Sequence, residues 1–331
     1  MPGVSRREFL HYAGGASAAL AFMAANGITL GANPLGLPIG SQTYPHRARI
    51  QAGDFAGLLK DMKAVGISDI ELCSATGEYV SLADGKMTRK ILDDNGMKCS
   101  SCHFRGLKAN QPAHIEWAHQ IGMTHMSVAS MGGKVTNGMT TLEEVKRTCD
   151  DFNKLGENAK KAGLQQITHN EGFENSRLED GRLTYPVLLE YLDPDLVKMQ
   201  FQMSSMLTIG DPIMYFTNHP GRFASMHLQG VDVTRPMTPP GMGAPVAKPT
   251  AEQLAAAEAA RAARAGGAGR AGGAPAAAPA GPAGLSVGED TVDWAKVFTA
   301  AKIGGVKSYF VEQNWDLTVK SVTFLKGFTV A

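Results

Sequence analysis

Histidine, carboxylate and amide side chains stand at the ends of several short apolar runs in this sequence. They are His103, His169, Asn170, Glu171, Glu174, Gln202, His227, Gln229 and Glu312. Mixed histidine and carboxylate ligands suit Mn²⁺, Zn²⁺, Mg²⁺ or Fe²⁺. Glu312 directly follows the apolar run 309–311, where a charge is costly to bury unless it is paired or binds a cation. These residue types indicate a divalent-metal site, provided that the fold brings them together.

Each of these residues alone has an ordinary explanation, since a single histidine or glutamate at a strand end is more often a structural group than a ligand. Alternation along a strand places His169 and Glu171 on one face, and it also places His227 and Gln229 on one face. Several such residues on separate strands favour a site, because the carboxyl ends of barrel strands converge on one mouth.

The elements that must position these residues alternate between strand-like and helical patterns from Leu37 onward, which is typical of repeated βα units. We predict strands at 38–43, 69–73, 98–104, 125–129, 165–170, 197–203, 223–231 and 308–313. We predict helices at 55–65, 82–95, 113–121, 142–162, 185–192, 212–218, 292–301 and after 316. Eight such pairs predict an α/β fold, a (β/α)8 TIM barrel over residues 37–331, with a doubly wound open sheet as the alternative.

The N-terminal segment 1–32 has the pattern of an export signal. Arg6-Arg7 precedes the alanine-rich apolar run 13–30, as in twin-arginine signal peptides. A membrane helix is the alternative, but Gly14, Gly15 and Asn26 make the run weakly hydrophobic for a permanent anchor. We therefore expect a periplasmic or secreted protein without stable membrane insertion after signal cleavage.

Residues 235–285 interrupt the barrel pattern after the seventh predicted strand. Alanine, glycine and proline dominate this segment, which has little to bury, so we predict a disordered insertion.

The charges of the whole chain are nearly balanced, with 32 Lys plus Arg and 31 Asp plus Glu. This balance gives no electrostatic reason to expect nucleic acid as a partner. We expect a small-molecule partner, and the sequence is compatible with a homo-oligomer.

From Ile39 to the C-terminus, apart from the insertion, the chain resembles the sugar phosphate isomerase/epimerase family. Its xylose-isomerase-like barrels include inosose dehydratases and tagatose-type epimerases. The stretches that carry the resemblance are 55–72, 92–103, 152–164, 169–174, 220–227 and 288–313. The resemblance implies a TIM barrel that acts on a carbohydrate.

The resemblance also implies one divalent metal, held by a Glu, an Asp, a His and a second Glu at the ends of strands five to eight. His227 falls on the histidine position and Glu312 on the last glutamate position. The first position is ambiguous, because His169, Glu171 and Glu174 all lie near it.

The sequence departs from the family pattern at two strand ends. Gln202 stands where the family has aspartate, and Gln229-Gly230 stands where many relatives have Lys-Asp. Losing an anionic ligand weakens the attraction for a hard divalent cation, so the metal site is expected to be weaker than in the family.

Two functions from different classes follow from these residues. The first is a metal-assisted sugar, keto-sugar or cyclitol isomerase, epimerase or lyase that abstracts a proton beside a carbonyl. The second is a carbohydrate-binding or accessory barrel that has lost catalysis. For the enzyme, we predict His169, His227 and Glu312 as metal ligands, Glu171, Glu174 and His103 as catalytic residues, with Glu312 as a further candidate base, and Asn170, Gln202 and Gln229 as substrate-binding residues.

Overall fold

The computed structural model describes residues 33–74, 82–234 and 284–330. The strands in these ranges are β1 (Ile39–Gln42), β2 (Asp69–Leu72), β3 (Lys98–Cys102), β4 (His125–Met126), β5 (Met139–Thr140), β6 (Gln165–Thr168), β7 (Arg177–Leu178), β8 (Val197–Gln202), β9 (Phe223–Leu228) and β10 (Ser308–Val311).

Eight of these strands form one parallel sheet that curves into a nearly closed barrel. The strand order is β3-β2-β1-β10-β9-β8-β6-β4. A parallel bridge between His103 and Ser127 joins the two end strands, where the N–H of Phe104 donates to the carbonyl of Ser127 at 2.9 Å. The prediction of a (β/α)8 TIM barrel is therefore confirmed, and the open doubly wound alternative is wrong.

Helices alternate with the barrel strands along the chain. They span Arg47–Gln51, Phe55–Val65, Gly85–Asp94, Leu107–Ile121, Leu142–Lys161, Thr184–Tyr191, Met203–Met206, Pro212–Asn218, Trp294–Gly304 and Trp315–Gly327. Helix Phe55–Val65 shows the pattern: Leu58, Leu59 and Met62 are buried on one apolar stripe. It ends at Gly66, whose φ of 104° is a left-handed cap that favours glycine.

Differences from the predicted elements lie mainly at their ends. Each barrel strand is shorter than predicted, because the predicted ranges included one to three residues beyond the hydrogen-bonded ladder, such as His103 and Phe104 after β3. The helix predicted at 113–121 begins earlier, at Leu107, and has a kink at Asn110, two residues before Pro112. A second parallel sheet of β5 and β7 was not predicted.

Two predicted segments fall mostly outside the described ranges. These are the export signal at 1–32 and the insertion at 235–285, of which only the last two residues are described. Leu285 forms an antiparallel bridge with Gly230, just after β9. Within the described ranges, none of the helices combines the length and the apolar character needed to cross a membrane.

Candidate active site

A wholly buried glutamate, Glu71 in β2, lies at the centre of a polar cluster inside the barrel. Its Oε1 accepts hydrogen bonds from Nε2 of His227 at 2.6 Å and from Nε2 of Gln42 at 2.9 Å. Nε2 of His103 lies 3.0 Å from the same oxygen. Its Oε2 accepts a hydrogen bond from Nε2 of Gln200 at 2.6 Å. Both oxygens of the carboxylate are therefore held by the protein itself.

Burial and charge act in opposite directions on this cluster. Burial alone would raise the pKa of Glu71, but the charges of His103 and His227 outweigh it and hold that pKa well below its usual range. Burial alone would lower the pKa of His227, but the carboxylates of Glu71 and Glu312 outweigh it and raise that pKa to about 10. Glu71 and His227 thus form a buried ion pair in this structure.

The other edge of the His227 ring faces the second group of candidate ligands. His169, His227 and Glu312 each offer an atom that lies within 4.8 Å of the other two. Nδ1 of His227 and Nε2 of His169 are buried and have no hydrogen-bond partner among residues 33–74, 82–234 and 284–330. Nδ1 of His227 lies 3.3 Å from Oε2 of Glu312. A cation held between these atoms would accept the lone pair of His169 and displace the Nδ1 proton of the charged His227.

The protonation state of His169 also suits a ligand. Its Nδ1 lies 3.0 Å from the carbonyl oxygen of Ala129, which can only accept, so the proton is on Nδ1 and the lone pair is on Nε2. Burial, with the charges of His227 and His103, lowers the pKa of His169 to about 3. The ring is therefore neutral at physiological pH, which is the form that binds metals.

Glu312 completes this group as an anion. Burial would raise its pKa, but the charge of His227 outweighs burial and lowers that pKa to about 2. Its Oε2 accepts hydrogen bonds from Nε2 of Gln202 at 2.7 Å and from Nε2 of Gln229 at 3.1 Å. Its Oε1 accepts no hydrogen bond from the described part of the chain.

The three amide residues predicted to bind substrate make hydrogen bonds to other residues of the site. Gln202 and Gln229 hold Glu312, and Oδ1 of Asn170 accepts the backbone N–H of Gln202 at 2.7 Å. None of the three lines the cavity described next. Oε1 of Gln202 is buried without a partner among the described residues, which leaves a neutral oxygen that could join the ligand group.

A cavity of about 370 Å³ opens beside the candidate ligands. Its wall includes Tyr44, Cys73, His103, Phe104, Arg105, Ala129, His169, Glu171 and Glu312. This volume lies within the range of small-molecule sites. Four predicted site residues, His103, His169, Glu171 and Glu312, therefore share one wall.

Glu171 contributes the second carboxylate of this wall, besides Glu312. It accepts no hydrogen bond from the described residues, and burial together with the charge of Glu312 raises its pKa. A raised pKa suits a general base that works near neutral pH. His103 also lines the cavity, but its Nε2 lies 2.7 Å from Oε1 of Gln200 as well as 3.0 Å from Glu71.

Glu174, the other predicted base, does not reach the cavity wall. Gly172, with a φ of 72°, begins a short helix over Gly172–Asn175, and Glu174 in this helix is wholly buried away from the cavity wall. There the carboxyl accepts hydrogen bonds from the hydroxyl of Ser130 and the backbone N–H of Met131. The structure thus brings Glu171, but not Glu174, to the wall of the described cavity.

The burial of Glu174 predicts a pH-dependent stability. Burial raises its pKa from the ordinary 4.5 to about 8, so the folded protein holds this proton more tightly than the unfolded chain. The protonated Glu174 carboxyl therefore stabilises the folded state fully below about pH 4.5. This contribution to the free energy of unfolding, on the order of a few kcal/mol, is lost as the pH rises toward 8. We expect Glu174→Gln to remove this loss, so that its thermal midpoint exceeds that of the parent at pH 8.5 but not at pH 4.5.

Thermal unfolding across this pH range would measure the effect. Glu179→Gln is the matched control, because Glu179 is exposed nearby and its replacement should leave the pH profile of the parent. Parallel profiles for the parent and Glu174→Gln would show that the carboxyl is not buried as described.

Sequence reasoning missed Glu71 and Gln42, whereas alternation along the strand does place Gln200 on the same face as Gln202. Polar residues were sought at strand ends, whereas Glu71 lies within β2 between Ile70 and Leu72. The signal that identified Glu312, a charge next to apolar residues of a buried strand, also applies to Glu71 and could have found it.

No protein-family model matches this chain, and no curated protein matches it. Solved structures do match. A sugar phosphate isomerase/epimerase from Parabacteroides distasonis ATCC 8503 is 19% identical, with 88% of this chain and 94% of that chain covered and a TM-score of 0.60. An L-ribulose 3-epimerase is 14% identical, with 84% and 81% covered and a TM-score of 0.55. A D-allulose 3-epimerase from Methylomonas sp. is 14% identical, with 89% and 99% covered and a TM-score of 0.53.

At sequence identities of 14–19%, these structural matches establish the fold and not the activity. The structural resemblance to sugar phosphate isomerase/epimerase and epimerase barrels is the one that the sequence predicted, and it extends over most of the described chain. The chain therefore has the xylose-isomerase-like TIM-barrel fold.

Proposed function

We propose that this protein is a sugar, keto-sugar or cyclitol isomerase, epimerase or lyase that abstracts a proton beside a carbonyl. The observation that carries the proposal is the juxtaposition of unpaired ligand atoms and a free carboxylate. Nε2 of His169 and Nδ1 of His227 have no partner among the described residues and lie with Glu312 beside a cavity that Glu171 also lines. The structural neighbours include sugar epimerases, which supports a substrate of this class.

The residues present fit a divalent metal. His169, His227 and Glu312 would hold it, with Oε1 of Gln202 as a neutral fourth oxygen. Such an ion, whether Mn²⁺, Zn²⁺, Mg²⁺ or Fe²⁺, supplies Lewis acidity that polarises carbonyl and hydroxyl oxygens and lowers the pKa of the adjacent C–H.

Side chains of the protein itself would abstract the proton and hold Glu312 in position. Glu171 takes the proton, because it is the carboxylate on the cavity wall without a hydrogen bond from the described residues. Gln202 and Gln229 fix Glu312 through its Oε2 and leave Oε1 available.

Proton exchange tests the proposal directly. The protein, loaded with Mn²⁺ in D₂O, is incubated with a panel of ketoses, aldoses and inososes, and deuterium incorporation beside the carbonyl is measured by NMR. We expect incorporation for at least one sugar, and its abolition by a chelator. Sugar binding without exchange for every member of the panel would contradict the enzyme.

The second candidate is a carbohydrate-binding barrel without catalysis. It is favoured by one observation: two neutral amides, Gln202 and Gln229, occupy the surroundings of Glu312 where the resemblance leads us to expect charged groups. This candidate predicts saturable sugar binding with no stoichiometric tight metal site, so calorimetric titration with Mn²⁺ and Zn²⁺ separates the two.

Gln202→Asp is expected to change metal affinity and metal-free stability in opposite directions. An aspartate here adds Coulomb attraction to a cation, so we expect tighter Mn²⁺ binding by about tenfold, roughly 1.4 kcal/mol. Without metal, the same carboxylate would replace a donor to Glu312 with a like charge, so the thermal midpoint should fall.

Gln202→Asn is the matched control, because it shortens the side chain equally without adding charge. We expect it to weaken Mn²⁺ binding slightly. Calorimetry and thermal unfolding, each with and without Mn²⁺, measure both effects, and equal affinities for Asp and Asn would argue against a cation at this position.

We also propose that the protein is exported by the twin-arginine pathway, from the sequence of residues 1–32. Replacing Arg6 and Arg7 with Lys should leave the precursor in the cytoplasm, as measured by cell fractionation and immunoblotting. Export of that variant at the parental level would contradict the proposal.

A further inference from the structure

We propose that Glu71 is a positioning residue that holds the His227 ring through Nε2 and so leaves Nδ1 facing Glu312. This inference rests on the proposed function in one respect, because Nδ1 is the atom assigned there as a metal ligand. It concerns a residue that belongs to neither the ligand group nor the cavity wall.

The direction of the hydrogen bond follows from the chemistry of the partners. Oε1 of Glu71 lies 2.6 Å from Nε2 of His227, and a carboxylate can only accept, so Nε2 carries a proton. A ring nitrogen with that proton cannot bind a cation. The other nitrogen, Nδ1, has no hydrogen-bond partner in the described ranges and lies 3.3 Å from Oε2 of Glu312.

Glu71, His103 and His227 also lie close enough together to hold an ion themselves. The contacts argue against a second cation there. Oε2 of Glu71 already accepts from Gln200, and Oε1 accepts from Gln42 and His227, which leaves the carboxylate surrounded by donors. The network therefore makes Glu71 a fixed acceptor.

The same network fixes the plane of the His227 ring. The ring of His103 stacks on that of His227 with centroids 5.5 Å apart, and the ring of Phe310 meets it edge-on at 6.2 Å. Glu71 is itself held from two sides by Gln42 and Gln200. Carboxylates that orient a ligand histidine in this way typically contribute 10–100-fold to metal affinity.

NMR of the metal-free protein with ¹⁵N-labelled histidine tests the inference without activity. We expect a slowly exchanging ring N–H proton on Nε2 of His227 at low field, assigned by its absence in His227→Gln. It should move upfield in Glu71→Gln, because an amide oxygen is a weaker acceptor, and it should be lost to exchange in Glu71→Ala. Absence of this signal in the parent, or an unchanged signal in either Glu71 variant, would overturn the inference.

A Zn²⁺ titration of the same samples separates this inference from the proposed function. We expect the bound ion to shift the ¹⁵N resonance of Nδ1, and Glu71→Ala to bind Zn²⁺ about 10–100-fold more weakly than the parent, with Glu71→Gln in between. A Zn²⁺-induced shift at Nε2 would overturn the inference and leave a metal enzyme. If Zn²⁺ shifts no histidine of the parent, the proposed metal site fails, while the metal-free N–H signal still decides the role of Glu71. If Glu71→Ala does not fold, Glu71→Gln carries the test.

Discussion

Glu171→Gln is expected to lower turnover by about 10²–10⁴-fold, the usual contribution of a positioned general base. The carboxylate of Glu171 lines the cavity, accepts no hydrogen bond from the described residues, and has a pKa raised by burial and by Glu312. Glutamine keeps the shape of the side chain but cannot take a proton. Metal affinity should change little, since Glu171 lies outside the group formed by His169, His227 and Glu312.

Glu174→Gln is the matched control for this experiment. It makes the same chemical change three residues further along, where the carboxyl is turned toward Ser130 and Met131. Steady-state turnover and Mn²⁺ titration on both variants, at the pH optimum of the parent, measure the contrast. Equal losses in the two variants would mean that the loop carries the effect, and full activity of Glu171→Gln would assign the proton transfer to another group.

His227→Ala and His169→Ala are expected to abolish tight metal binding alike but to differ in stability. Removing His227 leaves the wholly buried Glu71 without its cationic partner at 2.6 Å, and breaking a buried ion pair typically costs about 3–5 kcal/mol. Removing the neutral His169 breaks only a hydrogen bond to the carbonyl of Ala129 and opens a cavity, for about 1–3 kcal/mol. From the sequence we predict that His227→Ala or Glu312→Ala abolishes metal binding without unfolding the barrel, because residues at the carboxyl ends of barrel strands serve function more than packing.

Chemical denaturation in the presence of a chelator measures this difference free of metal effects. His227→Gln provides a control, because it retains an amide that can donate to Glu71 and should recover part of the stability without restoring metal binding. Equal unfolding free energies for the two alanine variants would show that Glu71 and His227 do not form the buried pair.

The barrel could be predicted from the sequence because its strands are short apolar runs with a clear period. The candidate ligands could also be predicted, because His169 and Glu312 directly follow apolar runs and His227 lies near the end of one. Counting alternation beyond the strand placed Glu171 and His169 on one face, and both do line the cavity. Alternation does not place Glu174 on that face, since it lies three residues after Glu171, and its carboxyl contacts Ser130 and Met131.

The contacts across the barrel could not be predicted in this way. Glu71 and His227 are 156 residues apart, and Glu71 and Gln200 are 129 residues apart. Which strand-end polar groups pair with each other depends on barrel register, which local patterns do not encode. The amides show the consequence: the sequence did not predict that Gln202 and Gln229 donate to Glu312.

The central claim is that one divalent cation binds between His169, His227 and Glu312. Anomalous diffraction from crystals of the protein soaked in Mn²⁺, recorded on both sides of the manganese edge, tests it most directly. We predict a single strong peak within about 2.0–2.4 Å of Nε2 of His169, Nδ1 of His227 and Oε1 of Glu312. No peak at this position at saturating Mn²⁺ or Zn²⁺, or a peak between Glu71 and His103 instead, would contradict the account.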